Sequence, residues 1–248
     1  MSATDWNSRT ALLLGDDAAG KLKNCHVLVA GAGGVGGIAI EMLARAGVGE
    51  MTIIDGDRVD VTNRNRQLVA LVSTVGRPKT EVWAERLRDI NPEIKLHLHN
   101  RYFTAEDMEH LLEASPFDCV LDAIDTIAPK TALLAACVRN HIPVVSCMGA
   151  GAKLDPEAIQ CADISKTIVC PLARVIRSNL KKLGITKGVQ AVFSTEKAHE
   201  HAVIPSDDCD PGKKSITGTV SFMPNLFGCH CAAAVLRLLT APSESFDC

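Results

Sequence analysis

The residues best suited to chemistry lie between positions 31 and 79 of the chain. A glycine-rich segment comes first and contains Gly31, Gly33, Gly34 and Gly36. Glycines let a chain turn tightly enough to point backbone N–H groups and a helix N-terminus at phosphate oxygens. Asp55 follows at about the spacing at which an acid binds a ribose hydroxyl in nucleotide-binding folds. This pattern predicts a nucleotide site.

The residues that follow Asp55 favour a triphosphate over a dinucleotide. Residues 63–67 read Asn-Arg-Asn-Arg-Gln, and Lys79 lies at the start of another predicted helix. Amides and cations beside a phosphate cradle can neutralise a triphosphate while it reacts. We therefore expect ATP to be a reactant here. The alternatives are a tight turn without a ligand and, for Arg66 and Lys79, ordinary solvated surface charges.

Two acids, Asp122 and Asp125, lie at the end of a predicted strand over residues 117–124. Ligands of open α/β sheets bind at the carboxyl ends of strands, so Asp125 can face the nucleotide and is our candidate for holding Mg²⁺. Asp122 lies on the opposite face of the strand, which favours a role in a turn or a polar network. The competing interpretation of Asp125 is a satisfied turn residue.

The elements that position these residues alternate between strand and helix. Strands are predicted at 26–30, 51–54, 94–98, 117–124 and 142–146, and helices at 38–46, 78–90 and 130–139. This order predicts an α/β fold with a doubly wound, mostly parallel, Rossmann-like sheet. Alternating polar residues place strand 94–98 near a sheet edge. We expect one domain over residues 1–248, with a nucleotide-binding core at 1–150 and a substrate-facing C-terminal elaboration at 151–248.

Composition sets the outer limits on function. The chain has 248 residues, of which 47% are hydrophobic, so it can bury a full α/β core. A predicted last helix at 227–239 is too short to span a membrane, and the N-terminus lacks a signal-peptide pattern. We therefore expect a cytoplasmic protein whose ten cysteines are mostly buried and reduced. Residues 204–214 are rich in Asp, Pro and Gly and predict a surface loop.

A basic segment lies between Asp163 and Glu196, a span without any acidic residue. Its cations are Lys166, Arg174, Arg177, Lys181, Lys182 and Lys187. Arg174, Arg177 and Lys181 recur at helical spacing, which predicts a charged helix face that could bind a phosphate backbone. The residues expected to cover the other face are Leu172, Val175, Ile176 and Leu183. A solvated helix face is the alternative, since charge runs often are that.

Several motifs together resemble those of the ubiquitin-activating-type adenylating enzymes, the superfamily that includes the molybdopterin- and thiamine-pathway activators. They are Gly31-Ala-Gly-Gly-Val-Gly36, Asp55-Gly-Asp57, Asn63-Arg-Asn-Arg66-Gln67, Val75-Gly-Arg-Pro-Lys79 and Leu121-Asp-Ala-Ile-Asp125. Within that superfamily, residues 63–67, 122–125 and 192–196 are similar to the tRNA threonylcarbamoyladenosine dehydratases. The resemblance then covers most of the chain.

The resemblance implies ATP-dependent cyclisation of threonylcarbamoyladenosine beside the tRNA anticodon. ATP would adenylate the threonyl carboxylate, and the neighbouring carbamoyl group would then attack and expel AMP. No protein nucleophile is needed, so the protein's work is positioning and charge neutralisation.

The motif match also assigns roles to residues. Asp55 would bind ribose, and Asn63, Arg66 and Lys79 would hold the triphosphate. The full set of nucleotide-binding positions is Gly31, Gly33, Gly34, Gly36, Asp55, Asp57, Asn63, Arg66, Gln67 and Lys79. The catalytic positions are Arg66, Lys79, Asp125 and Arg9, with Mg²⁺ on Asp125 and Arg9 supplied by the partner subunit of a homodimer. The tRNA would contact Arg174, Arg177, Lys181 and Lys182.

Two other functions remain open at this stage. One is an adenylating activator of a ubiquitin-like sulfur-carrier protein, and the other is a non-catalytic nucleotide-binding or sulfur-relay partner. Carrier activators commonly bind zinc through two Cys-x-x-Cys pairs, and this chain has none. Cys229, His230 and Cys231 are the nearest substitute, and they offer too few ligands for a zinc site. The acid-free basic segment favours the tRNA enzyme, with which a sulfur-transfer protein could also associate.

Overall fold

The computed structural model describes residues 5–205 and 215–241, and its centre is a seven-stranded sheet. The strands are β1 (His26–Ala30), β2 (Glu50–Ile54), β3 (Lys95–His99), β4 (Cys119–Asp122), β5 (Val144–Cys147), β6 (Ile159–Asp163) and β7 (Gln190–Ser194). Their order in the sheet is β3-β2-β1-β4-β5-β7-β6. All neighbouring pairs are parallel except β6 and β7. The predicted doubly wound α/β fold is confirmed, with β3 at one edge.

Helices cover both faces of this sheet. They are α1 (Ser8–Leu14), α2 (Asp16–Asn24), α3 (Gly34–Ala46), α4 (Lys79–Ile90), α5 (Ala105–Ala114), α6 (Ile127–Arg139), α7 (Pro171–Lys182) and α8 (Phe222–Thr240). One core packs α3, α4 and α8 against the sheet, and a second core packs α5, α6 and α7 against the other face. Because both faces are covered, the central strands are apolar along their whole length rather than alternating.

The region after residue 150 contributes to this same sheet. Strands β6 and β7 extend it beyond β5, and α8 returns to pack on α3 next to the first strand. Much of the predicted substrate-facing elaboration is therefore core. A small antiparallel pair, β8 (Val203–Pro205) and β9 (Ser215–Thr217), lies outside the main sheet. The predicted surface loop at 204–214 begins within β8, and its remainder lies outside the described residues.

Several element boundaries differ from the predicted ones. Strand β4 ends at Asp122, and α6 begins at Ile127 rather than at Lys130. The turn between them therefore carries Asp125 outside the strand. Helix α8 begins at Phe222, earlier than expected, and with 19 residues it is long and apolar enough to cross a membrane by length and composition. The prediction that this helix is too short was wrong.

Helix α8 is nevertheless a core helix in this fold. Phe227, Cys231 and Val235 have no exposed surface and belong to the core that α3 shares. A Cβ placed on Gly228 would lie 2.5 Å from the Val35 carbonyl oxygen and 2.7 Å from Ile38 Cβ. The two helices can approach this closely only because Gly228 has no side chain.

We predict that Gly228→Ala lowers the free energy of unfolding by about 1–3 kcal/mol, because the added methyl group must push α8 away from α3. Gly20 provides a matched control, since it also lies in a helix but a Cβ there meets no atom within 4 Å. Gly20→Ala should raise helix propensity and stabilise the protein by up to about 1 kcal/mol. Urea unfolding of both variants measures the difference, and equal effects would contradict the packing argument.

Candidate active site

The glycine turn joins the carboxyl end of β1 to α3. Gly31 has a φ of 93°, in the left-handed region that favours glycine. A Cβ there would also lie 2.8 Å from the Ala123 carbonyl oxygen, in the turn that follows β4. Gly31 therefore lets the turn after β1 pack closely against the turn after β4.

The other glycines divide into two roles. A Cβ on Gly36 would lie 1.8 Å from the Gly31 carbonyl oxygen, so Gly36 lets α3 pack onto its own turn. Its contact with phosphate stays a prediction. Gly33 is the N-cap of α3 and Gly34 its first residue, and no side chain of the N-cap accepts from the first N–H groups. These donors are left for an anionic ligand.

Asp55 connects the glycine turn to the residues after β2. Its Oδ2 accepts a hydrogen bond from the Ala32 N–H at 2.7 Å, and its Oδ1 accepts one from the Asp57 N–H at 2.8 Å. Burial raises the pKa of Asp55, and the positive charge of Lys79 opposes that rise. The carboxylate lies where the sequence predicts ribose recognition, at the carboxyl end of β2.

Lys79 lies beside Asp55 and forms an ion pair with Asp57, in which the lysine is buried and the aspartate is 46% exposed. Its Nζ is 2.6 Å from Asp57 Oδ2, and only 4% of its side chain is exposed. The Tyr102 hydroxyl also donates a hydrogen bond to Asp57. The surface-charge alternative for Lys79 is therefore wrong. A phosphate entering this site would meet a lysine whose position is already fixed by an acid and by the start of α4.

Residues 61–67 form a short helical turn beside the glycines. Asn63 is buried, and its Oδ1 accepts a hydrogen bond from the Asp60 N–H at 3.1 Å as part of a capping box. Arg66 is half-buried, and its Nη1 donates to the Thr62 carbonyl at 2.9 Å and to Asn65 Oδ1 at 2.8 Å. These contacts orient both side chains without engaging every donor that they carry.

Two buried amide oxygens near the glycine turn have no hydrogen-bond partner among the described residues. They belong to Gln67 and to Asn225 of α8. Gln67 Nε2 lies 3.6 Å from the position of a Cβ on Gly33. The Cβ of Pro224, the residue before Asn225, lies 3.1 Å from the position of a Cβ on Gly34. An unpaired buried oxygen costs about 1–3 kcal/mol unless a ligand donates to it. The start of α8 is thus a part of the site that the sequence did not indicate.

A buried polar network supports the turn that carries Asp125. Lys130 Nζ lies 2.7 Å from Asp122 Oδ2 and donates to the Ile124 carbonyl at 2.9 Å, and the Ser146 hydroxyl donates to Asp122 at 2.6 Å. Lys130 and Asp122 have no exposed surface. The network role predicted for Asp122 is confirmed, whereas Lys130 was missed. Asp125 is exposed and comes two residues after Ala123, whose carbonyl lies against Gly31 of the glycine turn.

Arg9 does not reach the site of its own chain. It is exposed on α1, which begins beside Asn7. Asn7 Nδ2 lies 2.3 Å from the position of a Cβ on Gly47, the C-cap residue that follows α3. The glycine turn is at the opposite end of α3, about 20 Å away for its 13 residues. An active-site role for Arg9 therefore requires a second subunit.

The basic helix α7 presents only part of the predicted charge. Arg174, Lys181 and Lys182 are exposed. Arg177 is half-buried, and its Nη1 donates to the Thr167 carbonyl at 2.9 Å, so it stabilises the preceding turn. This hydrogen bond makes Arg177 a weaker candidate for a tRNA contact than the exposed cations of α7. The buried face consists of Ala173, Ile176 and Leu180, whereas Val175 and Leu183, which we expected to cover that face, are exposed.

A groove lies between α6 and α7. Its volume is about 380 Å³, and it is lined by Ile127, Ala128, Thr131, Ala132, Asn179, Lys182 and Leu183. Ile127 begins α6 directly after the Asp125 turn, so one end of the groove is close to the site. It combines an apolar lining with the amine of Lys182.

The two cysteines of α8 lie in different surroundings. Cys229 is exposed and Cys231 is buried, so the two side chains lie on different sides of the helix. A hydrogen bond with Cys147 and burial raise the pKa of the Cys231 thiol well above its usual value. Among the described residues, the side chains that lie close enough together to share a metal ion do not include either cysteine.

Comparison with known proteins gives consistent results. The model of the ThiF family matches residues 7–246. The chain is 48% identical over 189 residues to a tRNA threonylcarbamoyladenosine dehydratase of Bacillus subtilis, covering 76% of this chain and 74% of that protein. It is 45% identical over 201 residues to the Escherichia coli protein of the same name, covering 77% and 75%.

A solved structure extends the match to the whole fold. The crystal structure of E. coli tRNA N6-threonylcarbamoyladenosine dehydratase in complex with ATP has a TM-score of 0.84 and is 39% identical. The match covers 94% of this chain and 92% of that one. This chain therefore matches a dehydratase crystallised with ATP over nearly the full length of both proteins.

The buried ion pair between Lys130 and Asp122 predicts a specific stability defect. Lys130→Met should lower the free energy of unfolding by about 3–5 kcal/mol, because the Asp122 carboxylate loses its buried counter-charge. Lys130→Met combined with Asp122→Asn should recover part of this loss, since no uncompensated charge remains. Urea unfolding of the single and double variants measures it. Strictly additive losses would contradict the ion-pair interpretation.

Proposed function

Because the chain belongs to the ThiF family, we propose that it is an ATP-dependent tRNA threonylcarbamoyladenosine dehydratase. The observation that carries this proposal is the match, over nearly the whole chain, to a dehydratase crystallised with ATP. The glycine turn, Asp55 and the buried Lys79 support it, because groups suited to phosphate and ribose lie together at one end of the sheet.

The reaction has two steps that need no protein nucleophile. An oxygen of the substrate's threonyl carboxylate attacks the α-phosphorus of ATP, and pyrophosphate leaves with the electrons of the broken P–O bond. The carbamoyl group then attacks the acyl carbon, and AMP leaves with the original carboxylate oxygen. The nucleoside loses one water in total, and ATP becomes AMP and pyrophosphate. The protein aligns the groups and neutralises charge.

The residues around the glycine turn fit these tasks. The uncapped N-terminus of α3 and the amine of Lys79 are positioned for phosphate oxygens, and Asp55 for a ribose hydroxyl. Arg66 and Asn63 border the same space from the 61–67 turn. As negative charge moves to the leaving pyrophosphate, Lys79 can exchange part of its interaction with Asp57 for a phosphate oxygen.

We propose Mg²⁺ as the companion of ATP, held by Asp125. Asp125 lies beside the glycine turn and presents carboxylate oxygens, which are the ligands that Mg²⁺ prefers. Bound there, Mg²⁺ would lower the charge of the triphosphate. Lys130 and Asp122 fix the turn that positions this carboxylate.

We propose that the tRNA lies across α7. Arg174, Lys181 and Lys182 are exposed cations on a helix with no acidic residue, and phosphates of the anticodon region supply the opposite charge. The groove between α6 and α7 leads from this surface towards Asp125.

A cytoplasmic location and a sulfur-transfer partner stay predictions.

Incubation of the protein with ATP, Mg²⁺ and tRNA that carries threonylcarbamoyladenosine tests the function. Mass spectrometry of the digested RNA should find the nucleoside lighter by one water. Asp125→Ala should reduce its formation by at least about 100-fold, as expected when transition-state charge loses stabilisation. Asp89→Ala, an exposed aspartate near the end of α4, is the control and should retain activity. Stable adenylation of a carrier protein without this product would favour the sulfur-carrier activator.

The tRNA surface is tested separately by binding. Arg174→Ala should weaken tRNA binding and reduce the slope of log K against log salt by about 1, because one phosphate contact is lost. Arg177→Ala is the matched comparison on the same helix. It should lower the stability of the protein and leave the salt slope unchanged, since its guanidinium bonds to the Thr167 carbonyl. Equal slope changes would contradict the assignment.

We propose a homodimer in which α1 of each subunit packs against its partner. Leu12 and Leu13 on α1 are 87% and 84% exposed, and Trp6 is half-exposed just before the helix. Such apolar exposure is costly in a monomer. A second apolar surface, which includes Leu71 and Val72, follows the 61–67 turn of the site. Contact between these two surfaces would bring Arg9 to the partner's ATP.

Mixed dimers test the position of Arg9. Arg9→Ala and Asp125→Ala should each inactivate the homodimer. Coexpression of the two variants should restore about a quarter of the wild-type sites. About half of the dimers are mixed, and one of the two sites in each mixed dimer has both a wild-type Arg9 and a wild-type Asp125. If Arg9 acted within its own chain, every site would lack one residue and the mixture would stay inactive.

A further inference from the structure

A second cluster of chemistry-bearing side chains lies at the amino end of the sheet, away from the glycine turn. His26 is the first residue of β1, Glu50 is the first of β2, and His97 is in the middle of β3. In the parallel register His26 is opposite Glu50, and Thr52 is opposite His97. Because side chains alternate along a strand, these residues share one face of the sheet. Along β1 the cluster is about 13 Å from the glycine turn.

The atoms that could bind a metal are already close together. One nitrogen of each histidine and one oxygen of Glu50 all lie within 4.8 Å of one another. His97 Nε2 is 2.8 Å from Glu50 Oε1, and His26 Nδ1 is 3.8 Å from the same oxygen. Tetrahedral zinc with bonds of about 2.0–2.1 Å requires ligand atoms about 3.3 Å apart. Side-chain shifts of less than about 1 Å would reach that geometry.

The surroundings hold the first histidine in a suitable orientation. The Thr52 hydroxyl lies 2.9 Å from His26 Nε2, and the His26 ring packs on Phe117 with the ring centres 4.5 Å apart. When Nε2 carries the proton and donates it to Thr52, the lone pair of Nδ1 faces Glu50. Support of this kind, from the ring nitrogen that does not bind the metal, is typical of histidine ligands.

The cluster is accessible from solvent through a cavity of about 750 Å³, which His26, Glu50 and His97 line together with His99 and Asp118. An ion could therefore enter, and water or a fourth side chain could complete its coordination. Two imidazoles and one carboxylate suit zinc and neighbouring transition metals, whereas Mg²⁺ and Ca²⁺ prefer sets of oxygens.

We propose that His26, Glu50 and His97 form a transition-metal site, with Zn²⁺ as the ion of best fit. The site is separate from the Mg²⁺ position beside Asp125. Its ligands come from three neighbouring strands, so a bound ion would link β1, β2 and the edge strand β3. Binding to the folded state alone stabilises that state in proportion to metal concentration. Without metal, the Glu50 charge is shared with His97 and with Lys95, whose Nζ lies 3.8 Å from Oε2.

Titration of metal-free protein tests the proposal. The full chain without an affinity tag, treated with chelator and then freed of it, is titrated with Zn²⁺ by calorimetry and melted with and without the ion. We expect one ion per chain from this site and a higher Tm. His97→Ala should weaken Zn²⁺ binding at least tenfold and abolish the Tm increase. His110→Ala, which removes an exposed histidine of α5, should change neither.

Two further measurements separate this site from other zinc ligands. Asp125→Ala should leave Zn²⁺ binding unchanged, which distinguishes the cluster from the ATP site. Co²⁺ substituted for Zn²⁺ should show no thiolate charge-transfer band, because no cysteine takes part. Unchanged binding in His97→Ala, loss of binding in Asp125→Ala, or a thiolate band would each overturn the proposal. ATP binding by His97→Ala confirms that the variant is folded.

Discussion

The candidate active site depends on the fixed position of one residue, Ala32. Its N–H donates to Asp55, and its carbonyl accepts a hydrogen bond from Trp83 Nε1 at 3.1 Å. Asp55 directly follows β2 and Trp83 belongs to α4, so two separate parts of the chain hold the glycine turn. The Trp83 ring in turn fills the space beside Gly37, where a Cβ would lie 2.4 Å away. The anion site is therefore rigid before any nucleotide binds.

The sequence was sufficient for the parts of the site that local chemistry decides. The glycine turn, Asp55 and Lys79 are close in sequence to the strands and helices that place them, and hydrophobic periodicity identified those elements. It could not reveal Lys130, because a lysine in an apolar helix resembles a surface residue until its partner Asp122 is placed beneath it. Asn225 was missed for a related reason, since only the return of α8 to α3 brings it to the glycine turn.

Three features of the region after residue 150 depend on packing that spacing and composition do not show. Helical spacing put Arg177 on the charged face of α7, but spacing does not show whether a nearby carbonyl will bind the guanidinium. The antiparallel pairing of β6 with β7 was not predicted, because pairing direction depends on the path of the intervening α7 rather than on the strand residues. Likewise, apolar residues of α8 do not distinguish a core helix from a membrane span.

The packing of α8 on α3 also has a consequence for biosynthesis. Residues 34–46 leave the ribosome early, and the helix that covers them is made of residues 222–240. Until that helix has been synthesised, the apolar surface of α3 lacks its cover, and the contact that closes the core is among the longest in sequence separation. Long-range contacts form slowly, and exposed apolar surface favours aggregation. Until α8 has been synthesised, the uncovered surface of α3 is therefore a place where nascent chains can associate wrongly.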